Sequence, residues 1–136
     1  MAPRERRAPI LARVIALLDT SVLIDFTRRR QGAIDLIESL SEVPLVSEIS
    51  RTELLQGMRD SERALTEFLM ARLDWIPVVE IVSRRAGELG REWKPANNGI
   101  SVEDLIIAAT AEVYNATLFT HNVRHFPMFP GLAPAY

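Results

Sequence analysis

The chain has 136 residues, 48% of them apolar and 25% charged, which fits one globular domain with a real core and excludes a disordered or fibrous chain. It has no cysteine, so disulfides and thiolate zinc sites are excluded and a reducing, cytoplasmic compartment is the expected one. The formal net charge of −2 gives no bulk sign of nucleic-acid binding, although residues 1–13 set Arg4, Arg6, Arg7 and Arg13 against Glu5 alone.

Residues 1–13 read as a flexible basic extension, followed by a single domain over 14–136. The stretch Ile10–Leu18 follows arginines and imitates a signal peptide, but Arg13 interrupts it and Asp19 follows with no small-residue cleavage site. No apolar run approaches the roughly 20 residues of a membrane span, so no membrane association is expected.

Val14–Leu18 is a continuous apolar run that suits a strand buried on both faces, ending in Asp19-Thr20-Ser21. Val22–Phe26 reads as a short helix, closed by Arg28-Arg29-Arg30. Ala33, Ile34, Ile37 and Leu40 have helical spacing within 31–40. Pro44–Ser47 predicts a second strand, and Ser47–Met58 and Ser61–Leu73 predict two further helices. Trp75–Val79 predicts a third strand and Val82–Trp93 an amphipathic helix. Lys94–Gly99 is a loop. Ser101 opens a helix to about Tyr114 that is apolar over most of its circumference and so deeply buried. Thr117–Thr120 predicts a fourth strand, and the proline-rich tail wraps with Phe126, Met128 and Phe129 packing inward. Strands alternating with helices predict an α/β three-layer sandwich: a mostly parallel central sheet of four to five strands flanked by helices.

In open parallel sheets, ligands bind beyond the carboxyl ends of the strands. Asp19 ends the first strand and Asn122 follows the fourth by two residues. Asp104 lies at the start of the buried helix, and Glu53 within two turns of the helix after the second strand. All four should share one rim. Three close carboxylates repel one another, and the cluster persists only if protonated or if a cation is present. With oxygen donors alone, such a site suits Mg²⁺ or Mn²⁺. Each residue also has a plainer reading. Asp19 is a good helix cap. Ser50-Arg51-Thr52-Glu53 matches a capping box, although Ser47 is an equally good cap. Ser101–Asp104 resembles a second box, and Asn122 suits a loop. Glu103 is set about 100° away from Asp104 and so reads as a weak substitute for it. His121 and His125 read mainly as surface or packing residues.

Four segments carry a resemblance. Leu-Leu-Asp-Thr-Ser-Val-Leu-Ile-Asp at 17–25, Ser-Glu-Ile-Ser-Arg-Thr-Glu-Leu-Leu-Gln-Gly at 47–57, Ser-Val-Glu-Asp-Leu-Ile-Ile-Ala-Ala-Thr-Ala at 101–111 and Leu-Phe-Thr-His-Asn-Val-Arg-His-Phe at 118–126 resemble, in order and spacing, the four motifs of PIN domains of the VapC toxin type. The resemblance covers about residues 15–136. It implies a Mg²⁺-dependent endoribonuclease that cleaves structured or single-stranded loop RNA by metal-activated water. It also implies the toxin role in a type II toxin–antitoxin system. The family's metal-binding acids fall on Asp19, Glu53 and Asp104, with Asn122 where the family often has Asp and His125 where some members have a further acid. The metal site is then Asp19, Asp104 and Glu53, and the catalytic set adds Asn122. Arg124, Thr20 and Ser21 are expected to contact RNA. The implied partners are RNA and a small antitoxin with a DNA-binding domain, the toxin being a homodimer and the complex a heterotetramer or larger. A catalytically weak PIN-like module that binds RNA or protein is the alternative. A phosphoryl-transfer domain is disfavoured, because Ser21 stands where a second acid is needed and the one lysine, Lys94, lies far from the fourth strand.

Overall fold

In the computed structural model, which describes residues 14–136, the first apolar run forms strand β1 (Ala16–Leu18), buried throughout. The basic segment read at 1–13 lies outside the described residues. Helices α1 (Thr20–Thr27) and α2 (Gln31–Ser39) follow, then β2 (Leu45–Ser47), α3 (Glu48–Gly57) and α4 (Arg63–Met70). Strand β3 (Asp74–Ile76), α5 (Glu80–Trp93), α6 (Val102–Val113) and β4 (Thr117–Phe119) complete the domain.

The four strands form one parallel sheet in the order β3-β2-β1-β4. Leu17 is in register with both Leu45 and Leu118. The chain moves outward from β1 to β3, then returns to place β4 on the other flank of β1. That reversal opens a crevice at the carboxyl ends of β1 and β4, where ligands bind in sheets of this type.

Alternation along the short strands builds two cores. Leu17 and Leu118 face α5 and α6, with Val82, Leu89, Ile107 and the tail's Phe126. Leu18 and Val46 face the other layer, with Val22, Leu23, Leu54 and Leu69 from α1, α3 and α4. Helices thus cover both faces, as a parallel sheet requires. Phe126 is completely buried, so the tail is part of the core.

Several boundaries differ from the sequence reading. Strand β3 stops at Ile76 because Pro77 has no N–H to extend the ladder, and α5 begins earlier, at Glu80. The helix expected from Ser61 opens with a 3₁₀ turn, Asp60–Glu62. Loop 94–99 contains a second 3₁₀ turn, Lys94–Ala96, and Lys94 Nζ donates to the Ile100 carbonyl at 2.7 Å. The single lysine thus closes a loop.

Thr66 in α4 is completely buried and its Oγ1 has no hydrogen-bond partner among the described residues. Leaving a hydroxyl dry and unpaired costs about 1–3 kcal/mol. Thr66→Val keeps the shape and removes that cost, so it is expected to stabilise the fold by ~1 kcal/mol and raise Tm by roughly 4 °C. Thermal unfolding followed by circular dichroism checks this.

Candidate active site

Asp19 follows the last residue of β1, and its N–H donates to the Phe119 carbonyl of β4 at 2.9 Å. Its side chain is 4% exposed. The carboxylate Oδ2 accepts from Ser21 Oγ at 2.7 Å and from Thr120 Oγ1 at 2.8 Å. Each hydroxyl accepts in turn from the backbone beyond β4: Asn122 N–H to Thr120 at 2.9 Å, and His121 N–H to Ser21 at 3.2 Å. These two relays fix the 120–122 turn against the carboxylate. Asp19 occupies the cap position of α1 without the usual side-chain capping bond, although the backbone of Thr20 also bonds its carboxylate.

In α3 the cap is Ser47, whose Oγ accepts from the Ile49 N–H at 3.2 Å. Glu53 therefore lies beyond the first turn, and the Ser50–Glu53 capping box does not form. Ser50 is fully buried beside Thr20 instead, with their hydroxyls 2.7 Å apart. The Thr20 hydroxyl also lies 2.6 Å from Glu53 Oε1. A hydroxyl has one proton, and given to Glu53 it couples α1 to α3 at the cleft wall.

Asp104 does form its capping box. Its N–H donates to Ser101 Oγ at 3.1 Å, and its Oδ2 accepts the Ser101 N–H at 3.0 Å. The same Oδ2 lies 3.2 Å from His125 Nδ1. Capping and the cleft are compatible here, because the first turn of α6 opens on the cleft.

Asp19, Glu53 and Asp104 line one cleft of about 550 Å³, together with Asn122 and His125. Thr20 and Ser21 line it too, although their hydroxyls already serve carboxylates. Arg124 does not line it. It sits on an exposed 3₁₀ turn (Val123–His125) and borders a smaller cavity of about 290 Å³, which shares Gly99 and His125 with the cleft. Glu103, expected from helix geometry to be a weak substitute for Asp104, also lines the cleft, because side chains of a first turn splay around the helix end.

Burial, chiefly, raises both Asp19 and Glu53 above the ordinary carboxylate range. The Ser21, Thr120 and Thr20 hydroxyls partly oppose this. The charge of Asp104 adds to the rise at Asp19, and the charges of Asp19, Glu103 and Asp104 add to it at Glu53. The donors are hard oxygens, the charges repel and, among the described residues, no lysine or arginine lines the cleft, so the residues suit a divalent cation held by carboxylates. Among the described residues no three acidic or histidine side chains stand close enough together, as they are placed, to hold a metal ion. Each carboxylate is instead braced by a hydroxyl or an amide.

Two features had no sequence signal. Ser50 packs under the site from 30 residues beyond Thr20. The tail also reaches back: Ala135 N–H donates to the Thr120 carbonyl at 2.9 Å, Tyr136 OH donates to Asp25 at 2.5 Å, and the Tyr136 ring stacks on His121 at 4.6 Å. A Cβ at Gly32 would fall 2.5 Å from Tyr136 Cδ1, so only glycine admits this packing.

The PIN-domain profile matches residues 16–129. The chain belongs to the PIN-domain family. Within it, the chain is 42% identical over 123 residues to ribonuclease VapC19 of Mycobacterium tuberculosis, covering 88% of this chain and 98% of that protein. It is 40% identical over 122 residues to ribonuclease VapC10 of the same organism, covering 88% and 92%. Among solved structures, this PIN domain superposes on a toxin–antitoxin complex from Klebsiella pneumoniae with a TM-score of 0.76 at 27% identity, covering 89% of this chain and 98% of that one. It matches VapBC2 of Rickettsia felis, bound to a promoter DNA fragment, with a TM-score of 0.75 at 25% identity, covering 89% and 97%. No helix among the described residues of this PIN domain is long and apolar enough to cross a membrane.

The raised carboxyls fix a sign. The folded state holds protons on Asp19 and Glu53 that the unfolded chain has released, so metal-free stability falls as pH rises from the ordinary carboxylate range through the raised values. Asp19→Asn removes one buried charge and is expected to raise metal-free Tm at neutral pH while flattening this dependence. Thermal unfolding across pH in a chelator is the measurement.

Proposed function

We propose that the chain is the toxin of a type II toxin–antitoxin pair and acts as a Mg²⁺-dependent endoribonuclease on single-stranded or loop RNA. The observation that carries this reading is the convergence of Asp19, Glu53 and Asp104, remote in sequence, on one cleft that no lysine or arginine of the described residues lines. The ribonuclease names of the VapC relatives and the toxin–antitoxin complexes among the solved structures support it.

Asp19, Glu53 and Asp104 would hold the ion. Mg²⁺ supplies Lewis acidity, a more acidic bound water and neutralisation of phosphate charge. The chain's own residues do the positioning. Ser21 and Thr120 hold the Asp19 carboxylate, and Thr20 holds Glu53. Asn122, fixed through its N–H to Thr120, presents a neutral amide at the same wall and orients water or the phosphate without adding charge. His125 braces Asp104. A cleft opening on the sheet's rim admits flexible strands and loops more readily than a stacked duplex. The partner is a small antitoxin with a DNA-binding domain, one segment of which covers the acidic cleft. The toxin is a homodimer and the complex a heterotetramer or larger.

Asp104→Asn keeps an oxygen to accept the Ser101 N–H and removes one ligand charge. Cleavage of single-stranded RNA in Mg²⁺ is expected to fall at least ~100-fold with Tm little changed. Chelation of the wild type is expected to abolish cleavage, and Mn²⁺ to restore it. Unchanged cleavage by the variant, or cleavage in a chelator, would defeat this assignment.

A further inference from the structure

The acidic cleft is bordered on one side by Ile24 and Gly57. One turn farther along α1, Thr27 and Arg28, with Arg59 and Ser61 from the segment after α3, border a second cavity of about 280 Å³ that has no lining residue in common with the cleft. The two chambers are set in line along α1 as a trough of two parts. Its far end is basic. Arg28, Arg29 and Arg59 face it against one carboxylate, Glu62.

That carboxylate does not neutralise the three. Glu62 accepts the Arg59 backbone N–H at 2.9 Å, and its ion pairs with Arg28 and Arg59 are long, at 3.4 and 3.9 Å. Arg29 makes no ion pair among the described residues. It closes α1 with φ +61°, its N–H donating to the Phe26 carbonyl and the next N–H, of Arg30, to the Asp25 carbonyl, both at 2.9 Å. That left-handed position suits glycine. An arginine there accepts a steric penalty that its backbone role does not require, and what it adds is a guanidinium at the trough's end.

We infer that this basic end is a phosphate-binding subsite for the RNA strand whose scissile bond lies in the acidic cleft; the inference rests on the ribonuclease function proposed for that cleft. The eight residues of α1 separate Asp19 from Arg28, and the nine steps of 1.5 Å make roughly 13 Å, a span that a few nucleotides cover. Guanidinium forks match phosphate oxygens bidentately. The cavity's lining contains no aromatic ring on which a base would stack, so the subsite reads backbone and positions the strand without specifying sequence. The acid–base polarity gives the trough two tasks: the arginine end attracts the polyanion, and the carboxylate end, which alone would repel it, takes one phosphate with the cation.

The test is a titration of a fluorescent oligouridylate against protein carrying Asp104→Asn, at several salt concentrations. Arg29→Gly and Arg59→Ala are then added together. Arg29→Gly suits the backbone, so Tm is expected to hold or rise. RNA affinity is expected to drop about tenfold, and the slope of log affinity against log salt to flatten by about 0.7 for each phosphate that is no longer neutralised. In the cleaving protein the pair should raise KM and leave kcat alone. Arg91→Ala on α5, behind the opposite face of the sheet, is the control and should change nothing. Unchanged affinity and slope in the arginine pair, or an equal loss in the Arg91 control, would overturn the subsite. So would a loss confined to antitoxin binding, which would make the basic end a protein-docking surface. Absence of cleavage by the wild type would defeat the ribonuclease reading, while the binding titration still judges the subsite separately.

Discussion

A carboxylate at the end of a central strand, 4% exposed and faced by other acids, is the constraint around which this molecule is arranged. Burial disfavours the charge of Asp19, and the neighbouring carboxylates disfavour it further. The fold answers with hydroxyls: Ser21 and Thr120 both approach Oδ2, and each is itself held by a main-chain N–H from the turn after β4. The acid is therefore stiffly held without being neutralised. That combination suits a site whose missing charge is a cation, and it differs from a structural ion pair, in which an arginine would lie alongside.

The sheet order makes this arrangement possible with little chain. Because β4 returns to the free flank of β1, residues a hundred positions apart become neighbours through two strand ends and one short turn. The first turn of α6 and the second turn of α3 reach the same wall from the two sides of β1. Helix starts favour acidic side chains, so Asp104 serves the helix and the cleft with one carboxylate. The tail then closes over the outer end of the turn, where Ala135, Tyr136 and Gly32 form a clasp on Thr120 and His121.

Charge is sorted along the trough rather than over the whole surface. A net charge of −2 conceals an acidic chamber and, one turn farther along α1, a separate arginine-lined one. A polyanion approaching such a protein meets attraction at one end and repulsion at the other. Membership of the PIN-domain family and likeness to VapC ribonucleases agree with that layout. The layout itself follows from where α1 and the segment after α3 run.

The element order, the parallel sheet and the placing of Asp19, Glu53 and Asp104 on one rim were legible in the chain, because apolar runs and helical spacing report burial directly and strand ends report the rim. Which reading of each acid holds was not legible. A capping box is a local pattern, and the chain contains two of them: the fold uses the one at Ser101–Asp104 and rejects the one at Ser50–Glu53, because Ser47 caps α3 and Ser50 is buried against Thr20. The placing of Glu103 in the cleft, of Arg124 beside it, and of Arg28, Arg29 and Arg59 at the trough's far end depended on tertiary structure alone. Local spacing fixes the direction of a side chain relative to its own helix. Whether that direction meets solvent, a partner or a shared cavity is decided only when distant elements pack beside it.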